Sequence, residues 1–147
     1  FCDTGVGGFA NAMCGHLWER LGHRRPRFVT VEPTAASCHL ASARAGRPVA
    51  AGVGESTVQV GLDCKEVDPL TFEMLSRGAD HFVAVPDSVV RPSIDVLRES
   101  TGIVGGDSSV AGLAVILAAA KNPELRSALG IGRDSRVAVV ICETAFS

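Results

Sequence analysis

Residues 1–21 read FCDTGVGGFANAMCGHLWERL, and this stretch decides the fold. A glycine-rich loop from Asp3 to Gly8 is followed directly by a segment in which large apolar residues recur every four positions. Those residues are Phe9, Met13, Leu17 and Leu21. The spacing predicts a buried helix over 9–21 that begins straight out of the loop. The loop therefore joins the end of a strand, around Phe1, to the start of a helix.

Strand and helix signals alternate along the rest of the chain. Strands are predicted at Arg27–Glu32, His81–Val85 and Val137–Cys142, and helices at Ser37–Ala45, Pro69–Arg77, Ser88 or Pro92 to about Arg98, Ser108–Ala120 and Pro123–Leu129. The last strand is almost wholly apolar, which predicts that both of its faces are covered. The alternation predicts an α/β fold, a three-layer sandwich with a mostly parallel sheet and helices on both faces.

Composition excludes several classes of function. The 147 residues suffice for one domain, 46% are hydrophobic and the formal net charge is −2. Basic residues are scattered and Tyr is absent, so we expect no nucleic-acid partner. No apolar run reaches the roughly 18 residues of a membrane helix. The four His lack metal-binding spacing and the five Cys form no CxxC pair, so we expect no metal site and reduced thiols.

The glycine loop is the first candidate for chemistry. Glycines allow backbone amides to approach an anion closely, and the N-terminus of the following helix adds unpaired donors and a favourable dipole. The loop matches neither a P-loop, because no Lys-Ser/Thr follows, nor the GxGxxG pattern, because Ala10 stands at the last glycine position. Phosphate binding and a merely tight strand–helix turn both remain open.

Other polar or reactive residues lie at predicted junctions. Asp107 or Ser108 is predicted to cap the helix that follows the second glycine-rich loop. His39 is predicted to be a surface or packing residue. Cys142 ends the last predicted strand, either as a structural thiol or as a ligand-facing group. Ligands of parallel sheets bind beyond the carboxyl ends of strands, where the glycine loop, Glu32, residues 85–87 and Cys142 are expected to converge.

Taken together, these blocks resemble one enzyme family. The matching segments, in order, are Gly5-Val6-Gly7-Gly8-Phe9-Ala10, Val31-Glu32-Pro33 with Ala36-Ser37-Cys38, Gly61-Leu62-x-Cys64-x-Glu66, Ala79-Asp80-His81-Phe82-Val83 and Gly106-Asp107-Ser108-x-x-x-Gly112-Leu113. The sequence is thereby similar to the diaminopropionate ammonia-lyases. These are fold type II pyridoxal-phosphate enzymes, related to serine and threonine dehydratases and to the tryptophan synthase β chain. The resemblance covers essentially the whole chain.

The resemblance implies a cofactor, a reaction and site residues. Pyridoxal 5'-phosphate would be held through its phosphate by Gly5, Val6, Gly7 and Gly8, and Cys142 would face its pyridine nitrogen. The reaction would be α,β-elimination from a small amino acid such as 2,3-diaminopropionate, which gives pyruvate and ammonia. A homodimer that acts in amino-acid catabolism in the cytoplasm is also implied.

The same resemblance predicts that residues 1–147 are the C-terminal part of the large cofactor-binding domain. The Schiff-base lysine of the family lies before the glycine loop, whereas Lys65 and Lys121 fall outside the matching motif. We therefore expect catalysis to need a missing N-terminal segment and no catalytic residue to lie in this chain. This sequence departs from the family pattern at three places: Asp107 replaces the usual Glu, Ser109 replaces the usual Gly, and Thr144-Ala145-Phe146-Ser147 replaces a Gly-Asp stretch after Cys142-Glu143.

Two alternatives to the lyase remain open. The altered second loop and the unusual tail are compatible with a non-catalytic domain that binds pyridoxal phosphate, another phosphorylated ligand or a partner protein. A nucleotide-binding α/β domain is the third interpretation, although the missing third glycine and the missing P-loop lysine count against it.

Overall fold

The computed structural model of the protein describes residues 1–144. Its strands are β1 (Cys2–Asp3), β2 (Val29–Pro33) and β3 (His81–Val85). Its helices are α1 (Gly8–Leu21), α2 (Cys38–Ala45), α3 (Pro69–Gly78), α4 (Val90–Thr101), α5 (Ala111–Lys121) and α6 (Pro123–Ala128). No helix in this part of the chain is long and apolar enough to cross a membrane. The predicted alternation of strands and helices is confirmed.

The three strands form one parallel sheet in the order β1-β2-β3. Cys2 pairs with Thr30 and Val29 pairs with His81, so the carboxyl ends of all three strands lie at the same edge. Parallel strands need crossover connections, and α1 supplies the first of them. The glycine loop therefore lies at the carboxyl edge of the sheet.

Side chains alternate across the sheet and build two apolar layers. Val29 and Val31 pack with α5 on one face. Phe28 and Cys2 pack with α1 and α3 on the other. Helices thus cover both faces, as the three-layer prediction requires.

The contact between α1 and α3 is close because of one glycine. A Cβ on Gly78 would lie 2.8 Å from the sulfur of Cys14 and 3.1 Å from that of Met74. Gly78 follows the predicted helix, yet it is the last residue of α3, and Ala79 takes the capping position. Because Gly78 has no side chain, α1 and α3 can pack closely against each other on the same face of the sheet.

The predicted strand Val137–Cys142 is wrong in this structure. The segment runs beside β1 and accepts one hydrogen bond, from the Phe1 amino group to the carbonyl of Ala138 (2.9 Å). β1 contributes only two residues to the sheet, and in the described structure residues 137–142 form no ladder with it. The segment is also half-exposed rather than covered on both faces, with Val137 at 42% exposure.

Candidate functional site

A pocket of about 310 Å³ opens where β1 ends and α1 begins. Gly5, Val6, Gly7, Gly8 and Cys142, the five predicted site residues, all line it. It lies at the carboxyl edge of the parallel sheet, the position at which α/β proteins bind ligands. Of the predicted strand ends, only the one that leads into the glycine loop lies at this pocket; Cys142 also lines it, although it ends no strand in the structure.

The other two strand ends do not line the pocket. Glu32 is fully buried, and its carboxylate accepts from the amides of His39 (2.7 Å) and Leu40 (2.9 Å). It thereby caps the N-terminus of α2. Asp87 accepts from the amide of Val58 (2.9 Å) and holds the segment around residues 57–59. Both carboxylates serve the scaffold around the pocket.

Gly7 has a conformation that demands glycine. Its φ is +106°, a region that residues with a Cβ rarely adopt. An added Cβ would lie 2.5 Å from the Thr71 methyl carbon and 2.7 Å from the His39 ring. Backbone conformation and packing therefore exclude a side chain here independently of each other.

The neighbouring glycines differ from Gly7. A Cβ on Gly5 would lie 3.0 Å from the carbonyl oxygen of Gly61 and 3.2 Å from the sulfur of Cys64, which is tight but without a positive φ. A Cβ on Gly8 would meet nothing within 4 Å. The Gly8 position therefore faces open space at the start of α1, where a ligand would have room.

The N-terminus of α1 has features that favour the binding of an anion. Among the described residues no side chain caps this helix, and its first turn contains no acidic residue. Its first main-chain bond runs from the amide of Asn11 to the carbonyl of Gly7 (2.8 Å), so the amides before Asn11 lack intrahelical acceptors. Unpaired amides and the positive end of the helix dipole fit a phosphate group.

Asp3, which the sequence did not single out, lies at the base of the pocket. One of its carboxylate oxygens accepts from the amide of Gly112 (2.6 Å), and the other is buried without a partner in the described structure. Burial raises the pKa of Asp3 to about 7, against the lowering effect of that hydrogen bond. Asp3 therefore caps α5 from 109 residues away along the chain. The predicted cap by Asp107 or Ser108 is wrong.

Ser108 instead joins the second loop to two other segments. Its hydroxyl accepts from the amide of Gly61 (2.9 Å), and its own amide donates to the Glu143 carboxylate (3.0 Å). These bonds place Glu143 and the adjacent Cys142 against the pocket. Partial burial and the charge of Asp3 raise the pKa of the Cys142 thiol, which keeps it neutral near pH 7. Residues 145–147, which belong to the stretch found here in place of the family's Gly-Asp stretch, lie outside the described residues.

His39 supports the glycine loop from behind. Its ring is fully buried, and Nε2 lies 3.1 Å from the carbonyl oxygen of Val6. Nδ1 has no hydrogen-bond partner in residues 1–144. Burial lowers the pKa of His39, so the ring is neutral near pH 7. Of the two roles predicted for His39, surface or packing, the structure shows packing; its contact with the loop has no local signal in the sequence, since Val6 is 33 residues away.

Neither lysine of the chain lines the pocket. Lys65 donates to the carbonyl of Ala35 (2.8 Å) and pairs with Asp63. Lys121 is the last residue of α5. In the described structure the polar groups that line the pocket are backbone amides, hydroxyls, the thiols of Cys64 and Cys142 and two carboxylates, and the positive potential comes from the N-terminus of α1.

Comparison with known proteins identifies relatives over nearly the whole chain. The model of a family described as pyridoxal-phosphate dependent enzymes matches residues 1–143. The diaminopropionate ammonia-lyase of Escherichia coli strain K12 is 32% identical over 96% of this chain. The chain spans 37% of the length of that relative.

Solved structures agree with this relationship. The crystal structure of diaminopropionate ammonia-lyase from Escherichia coli in complex with D-serine has a TM-score of 0.86 and 29% identity, over 97% of this chain and 37% of that one. A fungal L-serine ammonia-lyase from Rhizomucor miehei has a TM-score of 0.81 at 22% identity, over 99% of this chain and 44% of that one. The second likeness concerns the fold alone.

Proposed function

Because this chain belongs to the family of pyridoxal-phosphate dependent enzymes, we propose that it carries the phosphate-binding part of an ammonia-lyase for small amino acids. The substrate we favour is 2,3-diaminopropionate, from which the protein would release ammonia and form pyruvate. The observation that carries the proposal is the uncapped N-terminus of α1, which opens from the glycine loop into a pocket at the carboxyl edge of the sheet.

The residues of the loop fit the phosphate of the cofactor. Gly5, Val6, Gly7 and Gly8 would hold it through backbone amides, with the dipole of α1 favouring its negative charge. Gly7 fixes the sharp turn, since no side chain fits there, and Gly8 leaves free space in front of the helix. No basic side chain would be required, because several backbone amides of a glycine loop can bind one anion together.

Bound pyridoxal 5'-phosphate supplies an electron sink that stabilises the negative charge formed when the α-proton of an amino acid is removed. We propose Cys142 as the residue that faces its pyridine nitrogen. A neutral thiol places no charge at that nitrogen and so disfavours its protonation. The hydrogen bonds that Ser108 accepts from the amide of Gly61 and donates to the Glu143 carboxylate would keep this side of the pocket in place.

We further propose that residues 1–147 are the C-terminal part of the large cofactor-binding domain and that the Schiff-base lysine comes from a preceding segment of a longer chain. The positions of Lys65 and Lys121 away from the pocket support this, as does the 37% coverage of the curated relatives. A homodimer and a cytoplasmic location remain predictions, which light scattering and cell fractionation would test.

The phosphate role can be tested at Gly8 without disturbing the loop. Gly8→Asp introduces a carboxylate where a Cβ meets nothing and where a helix N-terminus tolerates negative charge. If the two charges were about 5–6 Å apart, the repulsion would be roughly 3 kcal/mol per unit charge at an effective dielectric constant of about 20. We expect affinity for pyridoxal 5'-phosphate to fall at least tenfold while thermal stability is kept.

Two controls make this test specific. Gly8→Asn has nearly the same size without the charge and should weaken binding less. Pyridoxal, which lacks the phosphate, should bind all three proteins alike. Calorimetric titration of the apo protein measures these affinities, and equal affinity of Gly8→Asp and wild type for pyridoxal phosphate would contradict the phosphate role.

The reaction is tested in the full-length protein. Incubation with D- and L-2,3-diaminopropionate should produce pyruvate and ammonia in equal amounts, with serine and threonine as comparison substrates. A protein that binds pyridoxal phosphate but releases ammonia from none of these would instead support the non-catalytic domain. That second candidate is favoured by one observation, the absence of a lysine from the described pocket lining.

A further inference from the structure

The contact between His39 and Val6 indicates which ring nitrogen of His39 carries the hydrogen. The Val6 carbonyl oxygen can only accept, so the ring nitrogen 3.1 Å from it, Nε2, must carry the hydrogen. Nδ1 is then the bare nitrogen, which agrees with its buried position without a partner in the described structure. The amide of Asp68 lies 3.5 Å from the same oxygen, at the outer limit of a hydrogen bond. His39 is therefore the main donor to this carbonyl.

The bond to Val6 also orients Gly7. The peptide bonds of the described chain are trans, so the Val6 carbonyl and the Gly7 amide belong to one rigid plane and point in opposite directions. Because the carbonyl points at His39, the amide points away from it. His39 lies outside the pocket lining and Gly7 lies within it. The Gly7 N–H is thus directed away from the buried side of the loop.

His39 itself is held on three sides. Its backbone amide donates to the Glu32 carboxylate (2.7 Å), and its ring packs against Phe72 with centroids 6.4 Å apart. On the side of the loop, its ring atoms occupy the space that a Cβ of Gly7 would take, 2.7 Å away. The ring consequently has little freedom to turn away from Val6.

We propose that His39 is a positioning residue that directs the Gly7 amide toward the cofactor phosphate by donating Nε2–H to the Val6 carbonyl. The proposal rests on the proposed role of the loop in phosphate binding. Without this bond the Val6–Gly7 peptide plane is free to rotate, and the phosphate loses a fixed donor. The effect would concern ligands that carry a phosphate and spare those that do not.

The test compares two substitutions in the full-length apo protein. His39→Gln keeps an N–H donor the same number of bonds from the backbone, whereas His39→Met fills similar space without a donor. We expect His39→Met to bind pyridoxal 5'-phosphate about tenfold more weakly, as for one lost charge-assisted hydrogen bond, and pyridoxal unchanged. His39→Gln should recover most of the loss. Unchanged affinity of His39→Met, or equal loss for both ligands, would overturn the proposal.

A second measurement separates this proposal from the role of the loop. Nitrogen-15 relaxation of the Gly7 amide in the ligand-free protein should show motion of larger amplitude in His39→Met and not in His39→Gln. If the wild type binds pyridoxal phosphate and pyridoxal equally well, the phosphate role fails, while the relaxation result still decides whether His39 restrains the Val6–Gly7 peptide plane. Unaltered relaxation of the Gly7 amide in His39→Met would refute that restraint.

The wild type provides a further check that depends on no variant folding. Nitrogen-15 spectra of the histidine side chains should show His39 as the neutral tautomer with hydrogen on Nε2. Hydrogen on Nδ1 would overturn the proposal, because Nε2 would then have nothing to donate to Val6.

Discussion

Substitution of Gly7 by Ala should destabilise the protein, whereas the same substitution at the adjacent Gly8 should not. Gly7 combines a φ of +106° with a Cβ position 2.5 Å from Thr71 and 2.7 Å from the His39 ring. Gly8 is the first residue of α1, has no positive φ and faces open space. The two variants therefore change the same chemical group one residue apart in opposite environments.

The magnitude follows from two costs at Gly7. A left-handed backbone costs a residue with a Cβ about 1–2 kcal/mol, and overpacking of this severity typically costs 1–3 kcal/mol. Reduced freedom of the unfolded chain returns about 0.4–1 kcal/mol. We expect Gly7→Ala to lower the free energy of unfolding by roughly 2–4 kcal/mol. Gly8→Ala should leave it unchanged or raise it by up to about 1 kcal/mol.

Equilibrium unfolding of the apo protein in urea, followed by circular dichroism, measures both changes. The midpoint should fall for Gly7→Ala with the denaturant slope preserved, which would attribute the change to the folded state. Equal stability of Gly7→Ala and wild type would refute the conformation described for the loop. So would an equal loss in the two alanine variants, because only one of them meets neighbouring atoms.

Three further predictions concern the scaffold of the pocket. Burial raises the pKa of Asp3 to about 7, so the folded protein keeps a proton on Asp3 that the unfolded chain releases near pH 4. The contribution of Asp3 to the free energy of unfolding is therefore full at low pH and is lost as the pH rises through 7. Asp3→Asn keeps an acceptor for the N-terminus of α5 and cannot ionise. As the pH rises from 4 to 8, its free energy of unfolding should increase relative to that of the wild type by roughly 1–4 kcal/mol, and an unchanged pH dependence would contradict this. Gly78→Ala should cost roughly 1–3 kcal/mol through its contact with the Cys14 sulfur, and Cys14→Ala in the same chain should recover part of it in thermal denaturation. Asp68→Ala removes the side-chain cap of α3 and should lower the midpoint of urea unfolding, whereas Asp68→Asn should stay closer to wild type.

Much of the local structure could be predicted from short-range patterns. The strand His81–Val85 has the predicted bounds, and α1 and α3 begin or end within one residue of theirs. Apolar spacing and proline or glycine at element ends act over a few neighbouring residues, so one sequence suffices to identify them. The five candidate site residues were also predicted, and they line one pocket.

The segment Val137–Cys142 shows where such patterns stop. Its apolar residues favour a strand, but a strand also needs a neighbouring backbone with which to pair, and the described segment forms no ladder with β1. The capping of α5 shows the same limit, since the nearby Ser108 was predicted as its cap and the distant Asp3 is. Hydrogen-bond partners far along the chain leave no local signature.

The sequence by itself determined the layered α/β architecture, the glycine loop and its place before a helix, and the relationship to pyridoxal-phosphate enzymes. The tertiary structure alone decided that Gly7 is packed against His39 and that a Cβ at Gly8 would meet no other atom. It also decided that Asp3 and Glu32 cap helices. Each of those assignments depends on which atoms lie next to one another in the folded chain. The physical reason is that propensity is a property of neighbouring residues, whereas burial and hydrogen-bond partnership are properties of the packed chain.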